Sequence, residues 1–167
     1  MNVRTSLVLA AAVAVGLLLP LRAADTTATT DGEAINQARA LQNEAIASNR
    51  FDDVAAFWTD DVTLCRGLGN QLAGKAAYKK LFVEGARSAS PLVYQRLPDA
   101  IEVSPLWPLA FETGVWRGHL GDVAGRVVIS GRYSAQWVKR GDRWFIRAEV
   151  YVALDGAGEG RQFKAVP

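Results

Sequence analysis

The sequence predicts an α+β domain, with helices first and an antiparallel sheet after them. Two observations carry that class. Apolar residues recur at three- and four-residue steps in the first half of the chain and at every second residue after Pro91. The chain of 167 residues, half of them hydrophobic, suits one domain with a sizeable core.

The elements follow in order. Residues 31–48 read as a helix through Ala34, Ile35, Ala38, Leu41, Ala45 and Ile46, with Asp31 as its cap and Glu33 in its first turn. Asn49-Arg50 breaks it. A short second helix begins at Asp52 or Asp53 and carries Val54, Phe57 and Trp58; Asp60-Asp61 closes it, and residues 62–65 form a strand. Gly67, Gly69 and Gly74 mark turns around a short strand at Gln71-Leu72. A third helix covers residues 75–86, with Tyr78, Leu81 and Phe82 on one side. Strands are expected over residues 92–103, 109–119, 126–139 and 144–154. Pro98 assigns the first of these to a sheet edge or a bulge. Pro105-Leu106-Trp107-Pro108 is a turn across which Trp107 is expected to pack, and Arg140-Gly141-Asp142-Arg143 is a hairpin turn. The Gly-rich end, residues 156–167, is expected to be a flexible tail.

Ahead of the domain, residues 1–24 have the composition of a secretory signal. Arg4 is followed by an uncharged apolar run from Leu7 to Leu19, by Pro20, and by Leu21-Arg22-Ala23-Ala24, where cleavage after Ala23 or one residue later is expected. The run is shorter than the roughly 20 residues that span a bilayer, so no stable membrane anchor is expected after cleavage. Residues 25–30 are a Thr-rich linker. The expected location is periplasmic or secreted. Removing Arg4 and Arg22 leaves 17 basic and 17 acidic residues, a balance that argues against nucleic acid as a partner. A lone Cys65 excludes an internal disulfide and any Cys-based zinc cluster, a single His119 argues against a metal site, and no cofactor is expected.

The order and spacing of Phe51-Asp-Asp-Val-Ala-Ala-Phe-Trp-Thr-Asp-Asp-Val, Gly74-Lys-Ala-Ala-Tyr, Glu112-Thr-Gly-Val-Trp, Gly131-Arg-Tyr-Ser-Ala-Gln-Trp and Arg143-Trp-Phe-Ile resemble the nuclear transport factor 2-like superfamily over residues 35–154. Within it, they look like the branch of small secreted members with no assigned activity. The resemblance implies a strongly curved sheet wrapped around three helices, forming a cone with a pocket at its open end. Ketosteroid isomerase and polyketide cyclases share the superfamily. Carried over by position, the isomerase's base Asp falls on Arg66, its first oxyanion-hole Tyr on Gln42 and its oxyanion-hole Asp on Ser134. Arg66 stays protonated and cannot abstract a carbon-bound proton, so steroid isomerisation is not expected.

Matching the last strand to the isomerase assigns Arg132, Ser134, Arg147, Glu149 and Tyr151 to the pocket. It leaves Tyr133, Ala135, Ala148 and Val150 on the convex side as a homodimer surface, unless a bulge swaps the faces. Glu149 and Glu112 are the candidate acid-base groups, or else members of structural ion pairs with Arg132 or Arg147. Arg66 is a third available partner for Glu149. Trp58, Phe82, Trp116 and Tyr151 read as an aromatic wall for an apolar ligand or as plain core. The expected function is an exported domain that binds a small apolar, possibly acidic, molecule. A pocket enzyme of hydrolase, lyase or isomerase type using Glu149 or Glu112, and a protein-interaction module working through the convex sheet, are the alternatives.

Overall fold

The computed structural model describes residues 30–166; the leader, nearly all of the linker and Pro167 lie outside the described residues. Helix α1 spans Asp31–Ala47, α2 Phe51–Ala55 and α3 Lys75–Ala86. The strands are β1 Trp58–Cys65, β2 Gln71–Ala73, β3 Leu92–Val103, β4 Leu109–Leu120, β5 Val127–Arg140 and β6 Arg143–Gly156. They form one sheet in the order β2-β1-β6-β5-β4-β3. All neighbours are antiparallel except β1 and β6, which run parallel. That pair departs from the all-antiparallel expectation: no hairpin joins these two strands, so nothing forces them to oppose.

Local chemistry sets the boundaries. Thr30, not Asp31, caps α1: its hydroxyl accepts from Glu33 N–H while Glu33 reaches back to Thr30 N–H. Asp31 is thereby free to accept from Lys139 Nζ and Trp144 Nε1. The second helix is shorter than expected. It ends at Ala55, and Trp58, Asp60 and Asp61 belong to β1, whose pairing with β6 shifts register between Trp58 and Thr63. β3 is one of the two edge strands and shifts register between Pro98 and Ala100, as its proline requires.

The tail does not fray. Residues Gly158–Gln162 form a 3-10 helix, Ala157 N–H donates to Val128 O, and Val166 N–H donates to Leu68 O. Trp107 does not pack across its turn and stands in solvent.

Four cross-strand rows line the inner face of β4, β5 and β6: Ala110–Trp137–Ile146, Glu112–Ala135–Glu149, Gly114–Tyr133–Tyr151 and Trp116–Gly131–Ala153. Each row mixes large and small residues, so that a curved sheet can be filled from inside. At Gly114 a Cβ would stand 2.2 Å from Leu97 O and 2.8 Å from the Tyr133 ring, so the close approach of edge strand and ring requires glycine.

The register overturns the expected faces. A two-residue turn pairs Arg140 with Arg143 and Trp137 with Ile146, but the next pair is Gln136 with Ala148. Arg147 is the extra residue of a bulge, and beyond it the parity of β6 reverses. Tyr133, Ala135 and Trp137 therefore point inward with Glu149 and Tyr151, while Arg132, Ser134 and Arg147 face outward. The convex patch expected at Tyr133 and Ala135 does not exist there, since both are buried.

Candidate functional site

The cone interior centres on Arg39. It rises from α1 in the stripe Ile35, Arg39, Gln42 and Ile46, all buried. Its guanidinium lies over the Glu112–Ala135–Glu149 row, where the small Ala135 leaves a slot between two carboxylates. Nε and Nη2 donate to the two oxygens of Glu112 at 2.9 and 3.1 Å. Nη1 donates to Glu149 Oε1 at 3.0 Å and to Gln42 Oε1 at 2.5 Å. The Trp137 and Tyr133 rings flank it, with centroids at 5.1 and 5.5 Å from Cζ. Glu112 also accepts from Trp137 Nε1 at 2.5 Å and from the Tyr133 hydroxyl. Glu149 Oε2 accepts from the Tyr78 hydroxyl at 3.0 Å. A buried cation with two carboxylates and this many donors is a closed arrangement of the kind that tolerates removal from water.

A second buried cation is held differently. Arg96 in β3 is 3% exposed. Its Nε donates to the Tyr151 hydroxyl at 2.9 Å and its Nη2 to the Tyr78 hydroxyl at 3.1 Å. Asn43 fixes the backbone beneath it, accepting from Arg96 N–H and donating to Arg96 O. The guanidinium sits between the Phe82 and Tyr151 rings, 5.6 and 5.4 Å from their centroids. No carboxylate lies within ion-pair distance of it, and Nη1 finds no acceptor among the described residues. Gln42 Nε2 and Trp58 Nε1 are likewise buried without an acceptor. The Gln42 amide cannot be turned round to cure this, because its partner Arg39 can only donate and so must meet Oε1. These three open valences are N–H donors; Thr59 Oγ1 and His119 Nε2 are also buried without a partner among the described residues.

Electrostatics follow from this geometry. Burial pushes the Glu149 carboxyl up, but the Arg39 and Arg96 charges and the Tyr151 and Tyr78 hydroxyls outweigh it and hold the group below the ordinary carboxylate range. Burial drives the Tyr78, Tyr133 and Tyr151 hydroxyls upward, so each remains a neutral phenol.

The sequence-predicted residues divide. Gln42, Trp58, Glu112, Trp116, Glu149 and Tyr151 lie inside the cone, and Phe82 is half-buried at its edge. Trp58 stacks on Tyr78 at 4.0 Å, and Trp116 meets Tyr151 edge-on at 6.1 Å. Arg132 pairs with Asp99, and Arg147 lies 3.7 Å from Asp61, all four exposed on the outside. Ser134 faces outward, so it is not the inner-face counterpart of an oxyanion-hole residue. Arg66 is half-buried at the end of β1, near enough to Tyr94 to act on its hydroxyl by charge, and it does not reach Glu149. The positive excess expected from Arg66, Arg132 and Arg147 is thus replaced by Arg39 and Arg96 balancing Glu112 and Glu149. Sequence reasoning missed Arg39, Tyr78, Arg96, Tyr133 and Trp137. The one available signal was Arg39 and Gln42 standing inside an otherwise apolar helical stripe. Two surface hollows lie elsewhere, one between α2, β1 and α3, the other along β2, β1 and β6. Among the described residues no cluster of three or more His, Cys, Asp or Glu is placed to hold a metal ion.

A model of the SnoaL-like domain matches residues 27–149. The chain belongs to the SnoaL-like family. This places it in the nuclear transport factor 2-like superfamily. No curated protein matches the sequence. Among solved structures, this SnoaL-like chain is similar to a conserved protein from Planctomyces limnophilus (14% identity, 72% of this chain and 94% of that one, TM-score 0.62). It is also similar to an NTF2-like protein of unknown function from Pseudomonas putida (18% identity, 81% and 92%, TM-score 0.62). A candidate scytalone dehydratase from Novosphingobium aromaticivorans is a third (17% identity, 74% and 84%, TM-score 0.60). At these identities the likeness is one of fold.

Proposed function

We propose that this SnoaL-like domain is an exported binding protein for a small organic acid with an apolar body, held in the cone without chemistry. The observation that carries the reading is Arg96: a buried cation with neutral hydroxyl partners, no carboxylate in contact, and Nη1 without an acceptor. A ligand carboxylate would supply the missing acceptor, and Gln42 and Trp58 offer two further donors of the same kind. Phe82, Tyr94, Trp116 and Tyr151 supply aromatic surface for the body. α3 rests on α2, β1 and β2 and buries only Tyr78, so it is the lightly held element through which entry would occur. The acid-base alternative is weaker, because Glu149 is held ionised and both carboxylates are fully engaged. Export rests on the composition of residues 1–24.

Titration with 2-naphthoate and with its neutral amide tests the reading. The acid should bind and the amide should bind at least ten-fold more weakly. Equal affinity for both would remove the role given to Arg96.

A second reading is favoured by the outer sheet face, where Phe111, Val150, Val152 and Leu154 are exposed. We propose a homodimer packed about a two-fold axis over this face, which keeps Val150 and Ala148 of the residues expected from sequence and loses Tyr133 and Ala135 to the interior.

A further inference from the structure

The hollow along β2, β1 and β6 opens on the outer face of the sheet and holds about 290 Å³. Leu64 and Glu149 are buried on the inner face. Its floor and walls are therefore the outward residues Thr63, Cys65, Gln71, Ala73, Ala148 and Val150, most of them small. On the same face stands Phe111 in β4, 48% exposed, the one exposed aromatic residue in a strand among the described residues.

The register fixes how the ring and the hollow are related. One cross-strand row runs Phe111–Gln136–Ala148–Thr63–Ala73, and the next runs Thr113–Ser134–Val150–Cys65–Gln71. The first row carries its large side chain at β4 and small ones from β6 to β2. Strands about 4.8 Å apart put β1 about 14 Å from β4. A two-fold axis standing on the sheet between β5 and β6, and between these two rows, exchanges β4 with β1 and one row with the other. It sets Phe111 over the partner's Cys65 and Val150 over the partner's Gln136. Facing sheets pack about 10 Å apart, a gap in which a large side chain fits opposite a small one. The charges in the middle of the face are paired within one copy, Arg132 with Asp99 and Arg147 with Asp61, so a second copy meets no net charge there. A two-fold contact requires a surface that complements itself. This face has both the projection and the recess, at the spacing that one axis relates.

We propose that in the homodimer each Phe111 fills the partner's hollow and seals the partner's Cys65 from solvent. The inference rests on the dimer reading above and adds to it the contact and its consequence. Cys65 is half-buried in one copy. Access is one of the conditions for thiol oxidation and exchange, and the ring of the second copy removes that access. The thiol is shielded only while the protein is paired.

Cys65 is the sole cysteine, so it reports on its own cover without mutation. The full chain is labelled with a fluorescent maleimide over a dilution series followed by light scattering. The expected result is labelling at least about ten-fold slower where the protein is dimeric than where it is monomeric. Phe111→Ala should raise the dimer dissociation constant roughly thirty-fold for each ring removed, and its Cys65 should label at the monomer's rate even where the variant still pairs. Cys65→Trp, which fills the hollow from its own side, should prevent pairing while circular dichroism stays native. Equal labelling rates in dimer and monomer overturn the proposal and leave the dimer reading standing, as do Cys65→Trp dimers as tight as wild type. A wild-type protein that is monomeric at every concentration overturns both.

Discussion

Arg39 is the residue on which the interior depends. Among the described residues it is the only cation in contact with Glu112 and Glu149, and all three are essentially unexposed. Replacing it by Met would leave two buried carboxylates without their cation, and the expected loss is about 3–5 kcal/mol in denaturant unfolding at neutral pH. Glu149 makes the fold acid-sensitive with a definite sign. Its pKa is lowered from an ordinary 4.5, so its contribution is fully present above that value and is lost as pH falls through the lower, native one. Stability measured between pH 6 and pH 2 should fall in that window, and Glu149→Gln should flatten the slope. Neither arginine of the network was legible in the sequence. A charged residue within an apolar stripe reads as an irregularity until its partners, 73 and 110 residues away, are known.

At the scale of elements, the sequence made the strands readable and left their faces ambiguous. Residues 92–103 and 75–86 have the expected bounds, because proline, glycine and periodicity mark them directly. The facing of β5 against β6 turned on one residue, Arg147. A bulge inserts a single step, and alternation carries the consequence along the rest of the strand. Nothing in the composition of Phe145-Ile146-Arg147-Ala148 announces it. The row Glu112–Ala135–Glu149 then explains why position 135 must be small: the slot above it holds the Arg39 guanidinium. Ala135→Leu should destabilise the protein by about 1–3 kcal/mol through overpacking and displacement of that cation. Ser134→Leu, one position along and outward, should cost far less. Thermal unfolding of the two variants side by side checks the face assignment, and similar losses would contradict it.

The whole molecule was legible as a class: helices first, strands after, wrapped into the cone that the family shares. Its interior was not, because the sequence suggests a polar wall and an aromatic wall, whereas the fold joins arginines, carboxylates and aromatic rings into one hydrogen-bonded and stacked network. On the outside, Val152→Glu should convert the proposed dimer to monomers in light scattering at micromolar concentration, while a wild-type protein already monomeric there would remove the convex interface. The central claim is that Arg96 anchors an acid inside the cone, and native mass spectrometry of the purified protein tests it most directly. The account predicts that the wild type carries a small organic acid and that Arg96→Gln, folded by circular dichroism, does not. Bare protein mass in the wild type, or the same adduct retained in Arg96→Gln, would contradict it.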